Sequence, residues 1–359
     1  MRVHQFTATL NPRDAVGFHT LEVDAILREL GHDTELFATS IHPELRSRAH
    51  QLEDHEQVAP PDVLLYQLST GSPVAEYLLA RSEPLVLNYH NLTPAEFFDP
   101  WEPSVGAELH HGLRQVSRLA RRATGAIADS AFNGAALVAE GLEDVAVVPV
   151  LFAPIASTGG SDEEIESEER DDPLKPLLLF VGRLAPNKCQ HDLISTLTVL
   201  RRSRPGAELV LVGTASSAQY ESALRSLAGA VCPDAVTFAG SVSFEKLAAW
   251  YRRADVFVSM SAHEGFGVPL VEAMEAGVPV VARAAGAVPE TVGSAGLLLD
   301  GDDPVVAAAA ISRVLDDETV RNQMIVQGRQ RARELSLELS RQAMAEALSN
   351  VLERARSAP

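Results

Sequence analysis

Ser261-Ala-His-Glu264-Gly-Phe-Gly267-Val-Pro-Leu-Val-Glu272-Ala-Met-Glu-Ala-Gly-Val-Pro279 is the stretch on which the fold turns. Before it, Asp255-Val-Phe-Val-Ser259 is a short apolar run with strand character. After Pro269, the residues Leu270, Val271, Ala273, Met274 and Ala276 fall at helical spacing, and Gly277 stops the helix. Val278 to Ala282 reads as a second buried strand. The order is therefore strand, glycine-rich turn, helix, strand. A helix that starts behind glycines presents unpaired N–H groups and the positive end of its dipole, which suits a phosphate or another oxyanion. Glu264 stands in the turn and Glu272 about one helical turn into the helix. Two carboxylates beside an anion pocket suit the hydroxyls of a sugar and a ribose better than they suit packing.

The same rhythm runs outward in both directions. Arg2–Leu10, Glu35–Ala38, Asp62–Tyr66, Leu85–Asn88, Gly125–Ala128 and Val145–Val148 read as strands. Helical stretches separate them at Phe18–Leu30, Pro73–Leu79, Val105–Arg122 and Ala131–Glu140. Pro149–Pro176 interrupts with prolines, a glycine pair and the acid-rich Ser161–Asp172. The alternation restarts with strands at Leu177–Val181, Glu208–Val212, Val236–Phe238 and Gly296–Leu299, and helices at Gln190–Arg202, Ser217–Leu227 and Phe244–Arg253. Pro304–Arg356 reads as almost wholly helical, jointed near Ser336. Strands alternating with helices predict parallel sheets covered on both faces. The expected fold is α/β, with two doubly wound Rossmann-like domains. Their bounds are 1–153, an acidic linker at 154–176, 177–335, and a terminal helix at 336–359 that packs back on the first domain. Ligands of such sheets bind at the carboxyl ends of the strands, so the cleft between the domains is the expected site.

Composition narrows the function. The 359 residues are 46% hydrophobic and 22% charged, as in a globular protein with a filled core. A formal charge of -19 makes the chain a poor candidate for a nucleic-acid binder, which needs a basic footprint. The two cysteines, Cys189 and Cys232, fall in core-like segments and do not suggest a disulfide scaffold. The start, Met1-Arg-Val-His-Gln-Phe6, has no apolar signal region, and no run of about 18 apolar residues occurs, so a cytoplasmic setting is the expectation.

Several residues could carry chemistry. Arg183 and Lys188, in Gly182-Arg183-Leu-Ala-Pro186-Asn187-Lys188, flank a proline turn at a strand end, where two cations would hold a diphosphate. His90 follows a strand, between Asn88 and Asn91, and could bond a sugar hydroxyl or assist a proton transfer; the alternative is a local backbone partner. Gly17 serves either a tight turn with positive φ or the close approach of a ligand to a helix start, with Asp14 as a cap. Ser130 reads as an N-cap, and the turn around Val242 could meet a nucleobase edge. Arg114, Arg118, Arg121 and Arg122 form a basic helix face; a solvated surface is the main reading and attraction to an anionic membrane the minor one. Asp300-Gly-Asp-Asp303 reads as a turn and cap, and His263-Glu264 lacks the second histidine of a zinc helix, so no metal site is assigned.

Val181-Gly-Arg183-Leu-Ala-Pro-Asn-Lys188, then Glu264-Gly-Phe-Gly-Val-Pro-Leu-Val-Glu272-Ala, then Gly277-Val-Pro-Val-Val281 resembles the retaining glycosyltransferases of the GT-B fold, family 4. The resemblance implies a hexosyl transfer from a UDP- or GDP-linked sugar to a hydroxyl acceptor, without a metal or other cofactor. It implies Glu264 near the donor sugar, Glu272 on the ribose hydroxyls, and the backbone of Gly265, Phe266, Gly267 and Val268 on sugar and phosphate. Arg183 and Lys188 would clamp the diphosphate, and His90 and Gly17 would complete the site from the first domain. Partners would be the nucleotide sugar and a small-molecule, glycan or lipid-linked acceptor, with weak peripheral membrane contact left open. The family often has Gly after the lysine, where this chain has Cys189, and a Gly-Gly pair where this chain has Val16-Gly17. Two rivals remain: a sugar-nucleotide epimerase on the same fold, and a nucleotide-sugar-binding protein without turnover.

Overall fold

The computed structural model describes residues 1–155 and 175–357; the acidic run Ser161–Asp172 lies outside them. The chain divides into two compact units. The first holds Met1–Asp99, Ser104–Ala153 and the chain from Ser336 onward, and the second holds Pro100–Pro103 and Pro154–Leu335.

In the first unit, β1 (Arg2–Leu10), α1 (Ala15–Glu29), β2 (Asp33–Ile41), β3 (His50–Gln51), β4 (Val63–Leu68), α2 (Pro73–Leu79) and β5 (Leu85–Tyr89) follow in turn. Then come α3 (Pro103–Arg122), β6 (Gly125–Ala128), α4 (Ala131–Ala139) and β7 (Val145–Val147). The strands form one parallel sheet in the order β3-β2-β1-β4-β5-β6-β7. Strands covered on both faces read as unbroken apolar runs, and every residue of β4, β5 and β6 is buried. The helix after β1 starts at Ala15 rather than Phe18, because the Asp14 carboxylate accepts from Gly17 N at 2.6 Å and caps it. Gly17 is therefore a residue of the helix's first turn and not a turn glycine of positive φ, which corrects that part of the sequence reading.

In the second unit the order is β8 (Leu177–Val181), α5 (Gln190–Leu200), β9 (Glu208–Val212), α6 (Ala218–Val231), β10 (Val236–Gly240), α7 (Phe244–Arg253), β11 (Val256–Ser259) and α8 (Val268–Glu275). β12 (Val280–Arg283), α9 (Val288–Val292), β13 (Gly296–Leu299), α10 (Pro304–Asp316) and α11 (Glu318–Glu334) complete it. Its parallel sheet has the order β10-β9-β8-β11-β12-β13. The short α9 and the break between α10 and α11 at Asp317 are additions to the sequence reading; Asp317 caps α11 through Val320 N. The last helix, α12 (Leu337–Ser357), buries Met344, Leu348, Val351 and Leu352 in the first unit's core beside Val3, Val63 and Ile127. Both cysteines are free and buried. Among the described residues, no helix is long and apolar enough to cross a membrane.

Candidate active site

Each sheet reverses its direction of strand addition once. In the second unit the reversal lies between β8 and β11, and in the first between β1 and β4. Loops leaving neighbouring strands there diverge to opposite faces and open a crevice, the usual ligand position in such sheets. The loop after β8 carries Arg183 and Lys188, and the loop after β11 carries Glu264.

These two loops are fastened together. Asn187 is buried; its carbonyl accepts from Ala262 N at 2.9 Å, and its side-chain amide donates to His263 O at 3.3 Å. The fastening brings Lys188 Nζ to 2.7 Å from Glu264 Oε2, with both side chains largely shielded from solvent. Ala287 N donates to Glu264 O at 2.9 Å and holds the carboxylate's backbone from the other side. Arg183 is exposed and, among the described residues, makes no ion pair, so it keeps its charge available at the same strand end. Cys189 closes the Pro186–Lys188 turn in a left-handed conformation, φ 52° and ψ 43°, and starts α5. That backbone explains the preference for glycine at this place in the resembling family.

The start of α8 is open. Gly267 occupies the N-cap with φ 92°, and its missing side chain leaves no capping bond. A Cβ there would stand 2.7 Å from Leu270 Cδ1. Pro269 has no N–H, and the Leu270 N–H goes to Gly267 O at 2.9 Å. Among the described residues the Gly267 and Val268 N–H groups have no backbone acceptor, and the helix dipole at this end favours an anion. Phe266 is buried, with its carbonyl accepting from Thr291 Oγ1 at 2.6 Å. Val242 is half-buried in the turn between β10 and α7.

Glu272 is 8% exposed, and Tyr251 Oη donates to its Oε2 at 2.7 Å. Burial pushes its carboxyl up to about 7, opposed by that hydrogen bond and aided by the neighbouring Glu275. Cys189, His191 and Asp192 bring ligand-type atoms within 4.8 Å of one another, the one such group among the described residues. Burial pushes the Cys189 thiol up to about 11 and its Sγ donates to Pro186 O, which opposes metal ligation through sulfur at neutral pH.

In the first unit, His90 lies one residue past β5 with its side chain 2% exposed. Its Nδ1 is 2.8 Å from Asp129 Oδ2 and its Nε2 is 2.7 Å from Gln67 Oε1. Gln67 Nε2 donates to Gln5 Oε1, and Gln5 Nε2 donates to Thr20 O at 3.2 Å. The Thr20 carbonyl can only accept, so it sets the direction of both amides and turns Gln67 Oε1 towards His90. His19 stands edge-on to His90 with ring centroids 4.7 Å apart. It accepts from Leu151 N at Nδ1, and burial together with His90 keeps its pKa well below the ordinary value. Gly17 is packed against the preceding loop, since a Cβ on it would lie 1.7 Å from Asn11 O. Gln5, His19, Gln67 and Asp129 were not singled out as site residues by the sequence. Gln5 and Gln67 lie within β1 and β4, the strands between which the sheet reverses, Asp129 directly follows β6, and His19 lies on α1.

Ser130 caps α4 through Asn133 N at 3.1 Å. Of the basic face of α3, Arg118 pairs with Glu76, Arg121 with Glu140, and Arg122 donates to the carbonyls of Arg81 and Glu83. Local partners thus consume much of the charge that an anionic surface would need. Asp303 caps α10 through Val305 N, as its sequence context indicated.

Residues 161–331 match the family model described as glycosyl transferases group 1. A Corynebacterium glutamicum protein, a GDP-mannose-dependent monoacylated alpha-(1-6)-phosphatidylinositol monomannoside mannosyltransferase, is 35% identical over 187 residues, 50% of this chain and 47% of that protein. A D-inositol 3-phosphate glycosyltransferase of Pseudarthrobacter chlorophenolicus is 35% identical over 151 residues, 41% of this chain and 36% of that protein. The matches thus span less than half the length of these relatives. Anabaena HepE, solved with UDP and glucose, superimposes with a TM-score of 0.77 at 21% identity, over 98% of this chain and 100% of that one. WaaG, a glycosyltransferase of lipopolysaccharide biosynthesis, does so with a TM-score of 0.70 at 16% identity, over 95% and 98%. The fold is the GT-B kind, and residues 161–331 are similar to the glycosyl transferases group 1.

Proposed function

We propose that the chain is a retaining, metal-independent glycosyltransferase that moves a hexose from a UDP- or GDP-linked donor to a hydroxyl acceptor. The observation that carries this reading is the Lys188–Glu264 pair beside the uncapped start of α8. Departure of a nucleoside diphosphate leaves positive charge on the anomeric carbon and negative charge on phosphate. Lys188, Arg183 and the Gly267 and Val268 N–H groups stabilise the phosphate, and they are in place before the charge develops. Glu264 stands beside that charge and faces the sugar, with Gly265 and Phe266 completing the cradle. Glu272 accepts from the ribose, and Val242 lies against the base. In the transfer, the bond from the anomeric carbon to phosphate oxygen breaks. The acceptor oxygen bonds to the same face, and its proton leaves with the diphosphate. In the first unit, His90 and Gly17 are the residues proposed for contact with the sugar and the acceptor. The cations at the strand end do the work a divalent metal does in other glycosyltransferases.

The acceptor is a small molecule, a glycan or a lipid-linked sugar. Relatives named for phosphatidylinositol monomannoside and for inositol 3-phosphate support that range. The setting is cytoplasmic, with peripheral membrane contact where the acceptor is a lipid.

The test incubates the protein with UDP-glucose or GDP-mannose and candidate acceptors, with and without EDTA, and reads released nucleotide and the anomeric configuration of the product by NMR. Transfer with the donor's configuration, unaffected by EDTA, is expected. An inverted product overturns retention, loss of activity in EDTA overturns metal independence, and an epimerised sugar formed without acceptor overturns transfer itself.

A further inference from the structure

Tyr251 has a hydroxyl in a place where packing alone would choose phenylalanine. It lies on α7 and is fully buried, and its ring stacks on Phe257 with centroids 6.1 Å apart. Its Oη lies 2.7 Å from Glu272 Oε2 and 3.3 Å from Pro269 O. One hydroxyl proton cannot serve both acceptors fully, and the shorter bond to the carboxylate takes it. Among the described residues, Glu272 Oε1 accepts no hydrogen bond, although the residue is more than nine-tenths buried. A carboxylate with one oxygen held by a protein donor and the other free of one is a prepared acceptor.

We propose that Tyr251 is the positioning residue that gives the donor site its selectivity for ribose over deoxyribose, by holding Glu272 so that Oε1 receives a ribose hydroxyl. The proposal rests on the reading of this unit as a nucleoside-diphosphate site. Glu272 could otherwise turn about its side-chain torsions, and a turned carboxylate loses the geometry that two adjacent hydroxyls require. A site built to bond a hydroxyl rejects the analogue that lacks it, because its polar group is then left buried and bare. Tyr251 reaches the first turn of α8 through the longer 3.3 Å contact with Pro269 O, so its removal should affect the ribose hydroxyls more than the diphosphate.

The test measures dissociation constants by calorimetry for UDP and GDP and for their 2′-deoxy and 3′-deoxy counterparts, in wild type, Tyr251→Phe, Glu272→Gln and the double variant. The wild type is expected to favour one ribonucleotide over a deoxy form by about tenfold or more. Tyr251→Phe should bring that ratio close to one, and the double variant should lose no more discrimination than either single change. A Tyr251→Phe protein that keeps the wild-type ratio overturns the assignment, as does one that weakens ribo and deoxy forms equally, since general loosening does that. A wild type that binds neither UDP nor GDP overturns the donor reading and this proposal together, whereas a discriminating wild type with an unchanged variant overturns the role of Tyr251 alone.

Discussion

Lys188 Nζ and Glu264 Oε2 are 2.7 Å apart, although they leave different strands and lie far apart in the sequence. Each charge stabilises the other in a largely shielded place, so the loss of one costs more than the loss of both. Lys188→Met and Glu264→Leu should each lower transfer by about 10²-fold or more. Each should also lower the melting temperature, and the double variant should melt above both single variants. Thermal denaturation beside initial rates checks this; a double variant that melts lowest of all would show that the pair is not coupled.

Glu272 gives a pH dependence of definite sign. Its carboxyl is pushed from 4.5 up to about 7, so between those values the folded chain binds a proton that the unfolded chain has lost. Its contribution to stability is therefore full below about 4.5 and is lost as the pH rises through about 7. Glu272→Gln removes that loss. The difference in melting temperature, variant minus wild type, should rise between pH 5 and pH 8. A flat difference would mean that burial does not hold the proton.

Cys189 combines a left-handed backbone with a buried side chain. Glycine relieves the backbone by about 1 kcal/mol and forfeits a packed sulfur of similar worth. Cys189→Gly should thus change stability little, within about 1 kcal/mol. Cys189→Val should cost more than Cys189→Gly, because a β-branched residue fits this conformation worst. Urea denaturation of the two variants decides the order.

Gln67 holds the Nε2 side of His90. Gln67→Leu should leave the Asp129 bond intact, free the ring to tilt, and lower the rate of transfer more than the melting temperature. Gly17→Ala places a Cβ against Asn11 O and must move backbone, at a cost of about 1–3 kcal/mol. Melting curves and initial rates of the two variants separate a loss of packing from a change at the ring.

The two sheets were legible because buried parallel strands are short unbroken apolar runs, as Leu177–Val181 and Gly125–Ala128 show. Ser130 and Asp303 were legible as caps, because a cap is a local event between neighbours. The turn and helix from Glu264 to Glu272 were visible for the same reason. The bond between Lys188 and Glu264 was not, since it depends on β8 lying next to β11, which is a fact of strand order. Tyr251 was hidden by its setting: on an amphipathic helix a tyrosine at a core position reads as packing, and its acceptor lies on another helix. Gln5 and Gln67 sat inside strands, where a polar residue has no local partner to reveal its role. α9 was missed because five residues with a proline in the first turn carry too little periodicity to register.

The Thr20 carbonyl on α1, three residues beyond the close approach of Gly17 to Asn11 O, is the fixed end of the line of amides that reaches His90. The line has a polarity, like a row of magnets held by one pole. While that carbonyl stays in reach, Gln67 shows the ring an oxygen. What the ring meets at Nε2 is thus decided by a backbone group on α1, two side chains away, and not by a neighbour of His90 in the sequence.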